Sequence, residues 1–182
     1  MEIEQGKVLI AQPFLNDGDF KRTVILLTEH NEYGSMGFVV NRPLHIQLKD
    51  VLPAMPDLTQ ALYYGGPVAQ NQLFFIHKKG KEIKNSLAIS DNYFWGGDFE
   101  DVLKLCRAKK ITKHEIKFFV GYSGWEPQQL EKEMEQKAWF VAGADYNNIM
   151  NEYSVEIWRN ELNKLGNNYT VFTNFPDNPS LN

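Results

Sequence analysis

The sequence predicts an α/β (α+β) fold: a single-domain sandwich in which helices cover a mixed, largely antiparallel sheet. Three observations predict it. The first half carries short apolar runs separated by turn signals, as hairpins require. The second half alternates strand-like with helix-like stretches. No GxxxxGK followed by Ser or Thr occurs, and the glycines at 34 and 37 complete no dinucleotide fingerprint, which removes the commonest nucleotide-binding signatures.

The elements follow in order. Val8 to Ala11 reads as a short strand. After the turn signal Asn16-Asp17-Gly18-Asp19, residues 22–27 are apolar on both faces, as a central strand would be. Gly34 to Gly37 separates that run from Phe38-Val39-Val40-Asn41, and so short a spacing predicts an antiparallel hairpin. Pro43 is expected to end the second strand. One helical turn is expected at 48–52, stopped by Pro53 and Pro56. Strands are expected at 62–65, 73–77 and 83–90, the last two joined by a hairpin tip at Gly80. Asp98 is placed to cap a helix reaching about Ala108, with Cys106 on its inner face as a packed, inert thiol. A strand at 116–121 follows, with Gly121 and Gly124 as a turn and Pro127 opening a helix. A strand at 139–142 comes next. Ser154 caps a last helix bearing Val155, Trp158, Leu162 and Leu165 on one face and stopped by Gly166. Residues 1–166 are read as one domain and 167–182 as an extended tail, with Val171-Phe172 packing back.

Composition sets the function classes. The chain has 182 residues, 43% hydrophobic and 23% charged, which is ordinary for one globular domain. No apolar run reaches the length of a membrane span, and the acidic start lacks a leader's pattern, so a cytoplasmic protein without membrane attachment is expected. A net charge of −4 opposes binding driven by phosphate neutralisation over the whole surface. Nucleic-acid binding is therefore expected to be weak or absent. The lysines at 78, 79, 81 and 84, and the basic run from Lys104 to Lys113, read as solvated loop and helix-end charge.

No metal or other cofactor is expected. The single cysteine excludes an intramolecular disulfide, the four histidines show no ligand spacing, and His114-Glu115 fails as a zinc helix because Phe118 stands where the second histidine is needed. Ser123, in Gly121-Tyr122-Ser123-Gly124-Trp125, invites comparison with a hydrolase nucleophile elbow. That elbow needs a second glycine where this chain has Trp125. A structural residue in a tight corner is the reading favoured here; a hydrolase using Ser123 with a histidine is the alternative.

A further cluster reads as a ligand or partner site. Arg22, Glu29, His30, Asn41 and Arg42 lie at the ends of the two hairpin strands and are expected to wall a shallow groove floored by Gly121 to Trp125, with Tyr122, Ser123 and Trp125 as contacts. Pairing around Gly34 would make Arg22 and Arg42 neighbours and place Glu29 and His30 at the opposite end. Two adjacent guanidinium groups need an anionic ligand or an acid such as Asp19 to relieve their repulsion.

With these residues laid out, the chain resembles the YqgE/AlgH family of bacterial proteins. The resemblance rests on 6–11 with Pro13, on 20–27, Glu29-His30 and 34–43, on Gly65-Gly66-Pro67-Val68, Leu73-Phe74 with His77, 121–125 with Gln129-Leu130-Glu131, and Trp158 with Leu165-Gly166. It implies a compact α/β fold and a cytoplasmic protein without established enzymatic activity. One branch carries a transcriptional-regulator label, although no helix-turn-helix is visible here: the basic helix at 98–108 is followed by a strand. Alanine is common in the family where this chain has Ser123, which implies that the position needs no nucleophile. The function expected is a non-enzymatic regulatory or binding protein whose partner is a protein or a small anionic ligand.

Overall fold

The computed structural model describes residues 2–15, 17–53, 58, 60–151, 156–166 and 169. Ten strands and five helices are found among them: β1 (Lys7–Ala11), β2 (Val24–Asn31), β3 (Gly34–Val39), β4 (Pro43–Gln47), α1 (Leu48–Val51), β5 (Ala61–Tyr64), β6 (Val68–His77), β7 (Leu87–Ser90), β8 (Tyr93–Trp95), α2 (Phe99–Arg107), β9 (Ile116–Trp125), α3 (Gln129–Glu135), β10 (Trp139–Gly143), α4 (Tyr146–Met150) and α5 (Ile157–Lys164). The main path of the sheet runs β10-β1-β2-β3-β9-β6-β8-β7, with the pair β4-β5 attached through β5 to β9. Every pairing is antiparallel except β5 with β9, so the sheet is mixed and largely antiparallel, as the sequence predicts.

Strand alternation explains the layers. In β1 and β2, Val8, Ile10, Val24 and Leu26 point to one face and join a core closed by Ile149, Met150, Ile157, Trp158 and Leu162 of α4 and α5. Leu9, Ala11, Ile25 and Leu27 point the other way and pack with Trp125, Trp139 and Leu130 of α3. Further along that second face, Phe75, Ile116 and Phe118 pack with Val102, Leu105 and Cys106 of α2. The central strands are buried on both sides, which is why 24–27 carry no polar residue. The sheet also curls: Gln5 Nε2 donates to the Ala88 carbonyl, and Ile89 of the β7 edge joins the same core as Val8 of β1.

Several boundaries differ from the sequence reading. Pro43 opens β4 instead of ending a strand. The expected strand at 83–90 begins only at Leu87, because Ile83 N–H and Glu82 N–H close a turn onto the Lys79 carbonyl and Ile83 is drawn into the α2 core. The expected hairpin between 73–77 and 83–90 is therefore absent: β7 pairs with β8, a strand the sequence did not reveal, and β8 pairs with β6. α4 was likewise not foreseen. Arg22 precedes β2 with φ of 56°, a left-handed turn conformation.

The largest difference lies at 121–125. These residues do not form a chain-reversing turn; β9 continues through them with an irregularity at Gly121, pairing Tyr122 with Val68, Ser123 with Gly37 and Trp125 with Ser35. The chain turns only at Glu126 to Gln128, and α3 begins at Gln129. Gly121 is needed for a different reason than a turn: its φ is +71°, and a Cβ there would lie 2.5 Å from the Gly66 carbonyl oxygen. The Ser154 cap, Val155, Pro56 and the 167–182 tail fall outside the described residues except for Tyr169, whose ring meets Phe140 edge-on. No helix among the described residues is long and apolar enough to cross a membrane.

Candidate functional site: a cationic pocket and a separate groove

The β2-β3 hairpin carries a cavity at each end. At its open end, Lys21, Arg22, Arg42 and Arg159 line a pocket of about 440 Å³ with Trp158 and the carboxylate of Glu156. Asn41 builds the wall. Its side-chain oxygen accepts from the Val24 N–H at 2.9 Å and its amide donates to the Arg22 carbonyl at 2.9 Å, so one buried side chain holds the left-handed Arg22 backbone against the first residue of β2. A non-glycine residue in that conformation persists only when its surroundings hold it, and such residues gather at ligand sites. The Arg22 guanidinium then lies over the Trp158 ring, 5.2 Å from its centre.

Arg42 is pinned by different means. It donates to the Asp19 carbonyl at 2.7 Å and the Lys21 carbonyl at 3.2 Å, and it sits 5.3 Å over the ring of Tyr64. The salt bridge to Asp19 offered by sequence reading takes another form. The Asp19 carboxylate accepts the Tyr64 hydroxyl at 2.7 Å, while Arg42 uses only the Asp19 main chain. Burial and the bond to Asp19 raise the Tyr64 pKa well above its ordinary value, so this hydroxyl stays protonated. Arg22 and Arg42 are thus neighbours in one pocket, with Glu156, 3.7 Å from Arg159, as the carboxylate among the described lining residues.

Register separates the other expected residues. Glu29 pairs with Met36, and Met36 with Gly124, so these three share one face and line a second, open groove of about 700 Å³ together with Tyr122. His30 and Ser35 face the opposite side. His30 Nδ1 is 2.8 Å from Ser35 Oγ and its Nε2 is 3.9 Å from Glu131 of α3. Trp125 also turns mainly toward α3, where its indole N–H donates to Glu133, and the Trp139 indole donates to the same oxygen. One groove walled by all five polar residues therefore does not form, because an eight-residue strand separates its ends by roughly 25 Å and alternation divides its faces.

Ser123 lies on that same face, fully buried, and its hydroxyl donates to the Gly65 carbonyl at 3.1 Å. Nothing in this arrangement exposes Oγ to an incoming carbonyl. Among the described residues no group of three His, Cys, Asp or Glu side chains is placed to hold a metal ion. Lys21 and Arg159 were missed by the sequence reading. Lys21 could have been found from its place beside Arg22; Arg159 lies on α5 and only the tertiary fold brings it to the pocket.

This geometry defines a mixed α/β protein with an open, largely antiparallel sheet between helices, and with a cationic pocket beside the Asn-Arg-Pro segment at 41–43. The chain belongs to the AlgH-like family, whose profile matches residues 8–170. A UPF0301 protein from Cytophaga hutchinsonii is 38% identical over 181 residues, covering 99% of this chain and 100% of the relative. One from Chlorobium limicola is 38% identical, covering 100% and 97%. Among solved structures, AlgH from Pseudomonas aeruginosa matches with a TM-score of 0.73 and 30% identity over 98% of this chain and 100% of that one. A Corynebacterium diphtheriae protein matches with a TM-score of 0.80 and 25% identity over 96% and 94%.

Proposed function

We propose that this chain is a non-enzymatic binding protein whose ligand is a small anion, a carboxylate or phosphate compound, held in the pocket of Lys21, Arg22, Arg42 and Arg159. The observation that carries the reading is the gathering of Lys21, Arg22, Arg42 and Arg159 around one cavity, with Glu156 as the carboxylate among the described lining residues, in a chain whose net charge is −4. Three guanidinium groups offer the planar, forked donors that suit carboxylate and phosphate oxygens. Such a pocket would let the protein report an anionic metabolite to a protein partner, which is the form a regulatory role takes in this reading. The buried, hydrogen-bonded hydroxyl of Ser123 supports the non-hydrolytic reading over the alternative.

Thermal-shift titration with inorganic phosphate, citrate and nucleoside monophosphates tests it. The wild type is expected to be stabilised by at least one of them in a saturable way. Arg159→Ala is expected to weaken that response about tenfold, the effect of losing one charged hydrogen bond. Because Arg159 is exposed, the unliganded melting temperature should change little. Equal responses from wild type and Arg159→Ala, or none to any anion, would overturn the reading.

A further inference from the structure

The groove at the closed end of the hairpin is a second and independent feature, and its chemistry is opposite to that of the cationic pocket. Its floor is a trough with a physical cause. Met36 faces Gly124 across the β3-β9 pair, and because Gly124 supplies no side chain the edge of the Tyr122 ring lies beside it, 3.1 Å from where a Cβ would stand, and the surface stays low from there to Glu126. Val68, paired with Tyr122, forms the far bank and is exposed, as is Tyr33 at the hairpin turn. Gly34 cannot be replaced there: a Cβ would lie 2.3 Å from the Trp125 carbonyl oxygen, so the turn sits tightly against the end of β9 and fixes the trough's end wall.

Two carboxylates flank this apolar trough. Glu29 stands on β2 and Glu126 follows β9 two strands away, a backbone separation of roughly 10 Å from the spacing of paired strands. Among the described residues neither carboxylate makes an ion pair or side-chain hydrogen bond, and none of the described residues lining the groove is a lysine, arginine or histidine. Gln129 does not compensate them: its amide oxygen accepts from the Glu126 N–H and its amide nitrogen donates to Glu133. A half-buried tyrosine ring, backed by Phe74 and set between two carboxylates that have no such partner among the described residues, matches a flat cation on an apolar stem.

We infer that this groove docks an extended peptide segment of a partner protein, with an arginine side chain laid over Tyr122 between Glu29 and Glu126 and a neighbouring apolar side chain against Met36 and Val68. The occupant is set by charge complementarity together with the apolar floor. A bare metal cation would leave Tyr33, Val68 and Met36 unused, and an anion would meet two like charges. The inference does not rest on the anion pocket, which lies at the other end of the hairpin.

The test follows backbone amide NMR shifts of the full chain as a capped pentapeptide of alternating arginine and leucine is added. A glutamate-for-arginine counterpart and capped arginine alone serve as comparisons. Saturable shifts confined to residues 29–36, 68 and 122–129 are expected with the arginine peptide and not with its acidic counterpart. The double variant Glu29→Gln, Glu126→Gln is expected to bind about tenfold more weakly, and its isosteric neutral side chains should leave the remaining amide spectrum unchanged. In wild type alone, added salt should weaken the binding. Absence of shifts at these amides up to millimolar peptide, or equal shifts from the acidic peptide, would overturn the inference. So would equal affinity for capped arginine, which would assign the groove to a small cation. Self-association that is lost in the double variant would assign it to a second copy of the chain and overturn it equally.

Discussion

At the scale of single residues, Ser123 and His77 are buried polar groups whose hydrogen-bond partners make specific outcomes testable. The Gly65 carbonyl that accepts the Ser123 hydroxyl also accepts the Val39 N–H at 2.9 Å, so Ser123→Ala leaves no orphaned acceptor. The variant is expected to lose less than about 1 kcal/mol in urea unfolding. Fluorophosphonate labelling should be equally absent from wild type and variant; labelling present only in wild type would revive the hydrolase reading. His77 is the stronger case. Its Nδ1 accepts the Lys79 N–H at 3.1 Å, so the ring proton sits on Nε2, 3.0 Å from the Gly96 carbonyl and 3.1 Å from Ser86 Oγ. Burial lowers its pKa below the ordinary 6.5, against the opposing pull of the Gly96 bond. The unfolded chain then binds a proton more readily than the folded one. The stability held by neutral His77 is complete above pH 6.5 and is lost as pH falls toward the folded-state pKa. Urea midpoints measured through that window should fall with acidification in wild type and change less in His77→Gln. An identical slope in both proteins would contradict the assignment.

At the scale of elements, the glycines of β9 explain both what was legible and what was not. β1, the β2-β3 hairpin, α2 and β10 could be read because their apolar spacing matches a strand or helix period and their ends carry turn or cap residues. Gly121 and Gly124 look the same as turn glycines in the sequence, yet one admits the close approach of Gly66 and the other makes room for the ring of Tyr122. The first depends on a segment distant in sequence and the second on β9 staying extended, so no local pattern announces them. β8 escaped for a related reason: three aromatic residues between glycines and a turn have no period of their own, and only pairing with β6 and β7 makes them a strand. The arginine pair was legible because it needs only the hairpin, whereas the split of Glu29 from His30 needs the face assignment along β2. Gly121→Ala is expected to cost about 2 kcal/mol or more, since left-handed strain adds to a clash with backbone atoms that cannot yield. Gly143→Ala, with nothing within 4 Å of the new methyl, should stay within about 0.5 kcal/mol. Asn41→Ala belongs at this scale too. It strips the partner from the buried Val24 N–H and releases Arg22, so a loss of about 2 kcal/mol should accompany weaker anion binding.

At the scale of the whole molecule, charge decides what kind of partner the surface can take. The net charge of −4 is not evenly spread: the cations of the open hairpin end line one pocket, while the closed end presents Glu29 and Glu126. The two lysine-rich stretches offer less to a phosphate backbone than their counts suggest. Lys79 lies 2.9 Å from Glu115 and 3.7 Å from Glu82, and Lys104 lies 3.0 Å from Asp101. The bond to Glu115 raises the Lys79 pKa, so that charge stays present but already has a partner. α2 also runs into a loop and then β9, which leaves it without the second helix that a helix-turn-helix places in the major groove. Duplex DNA is therefore expected to bind no tighter than micromolar at physiological salt, with affinity falling steeply as salt rises and no preference among sequences. Fluorescence anisotropy with two unrelated duplexes over a salt series measures this. If the weak binding that remains uses the pocket of Arg22, Arg42 and Arg159, inorganic phosphate should compete for it and Arg159→Ala should reduce it equally for both duplexes. Nanomolar, sequence-selective binding that survives physiological salt would contradict the expectation.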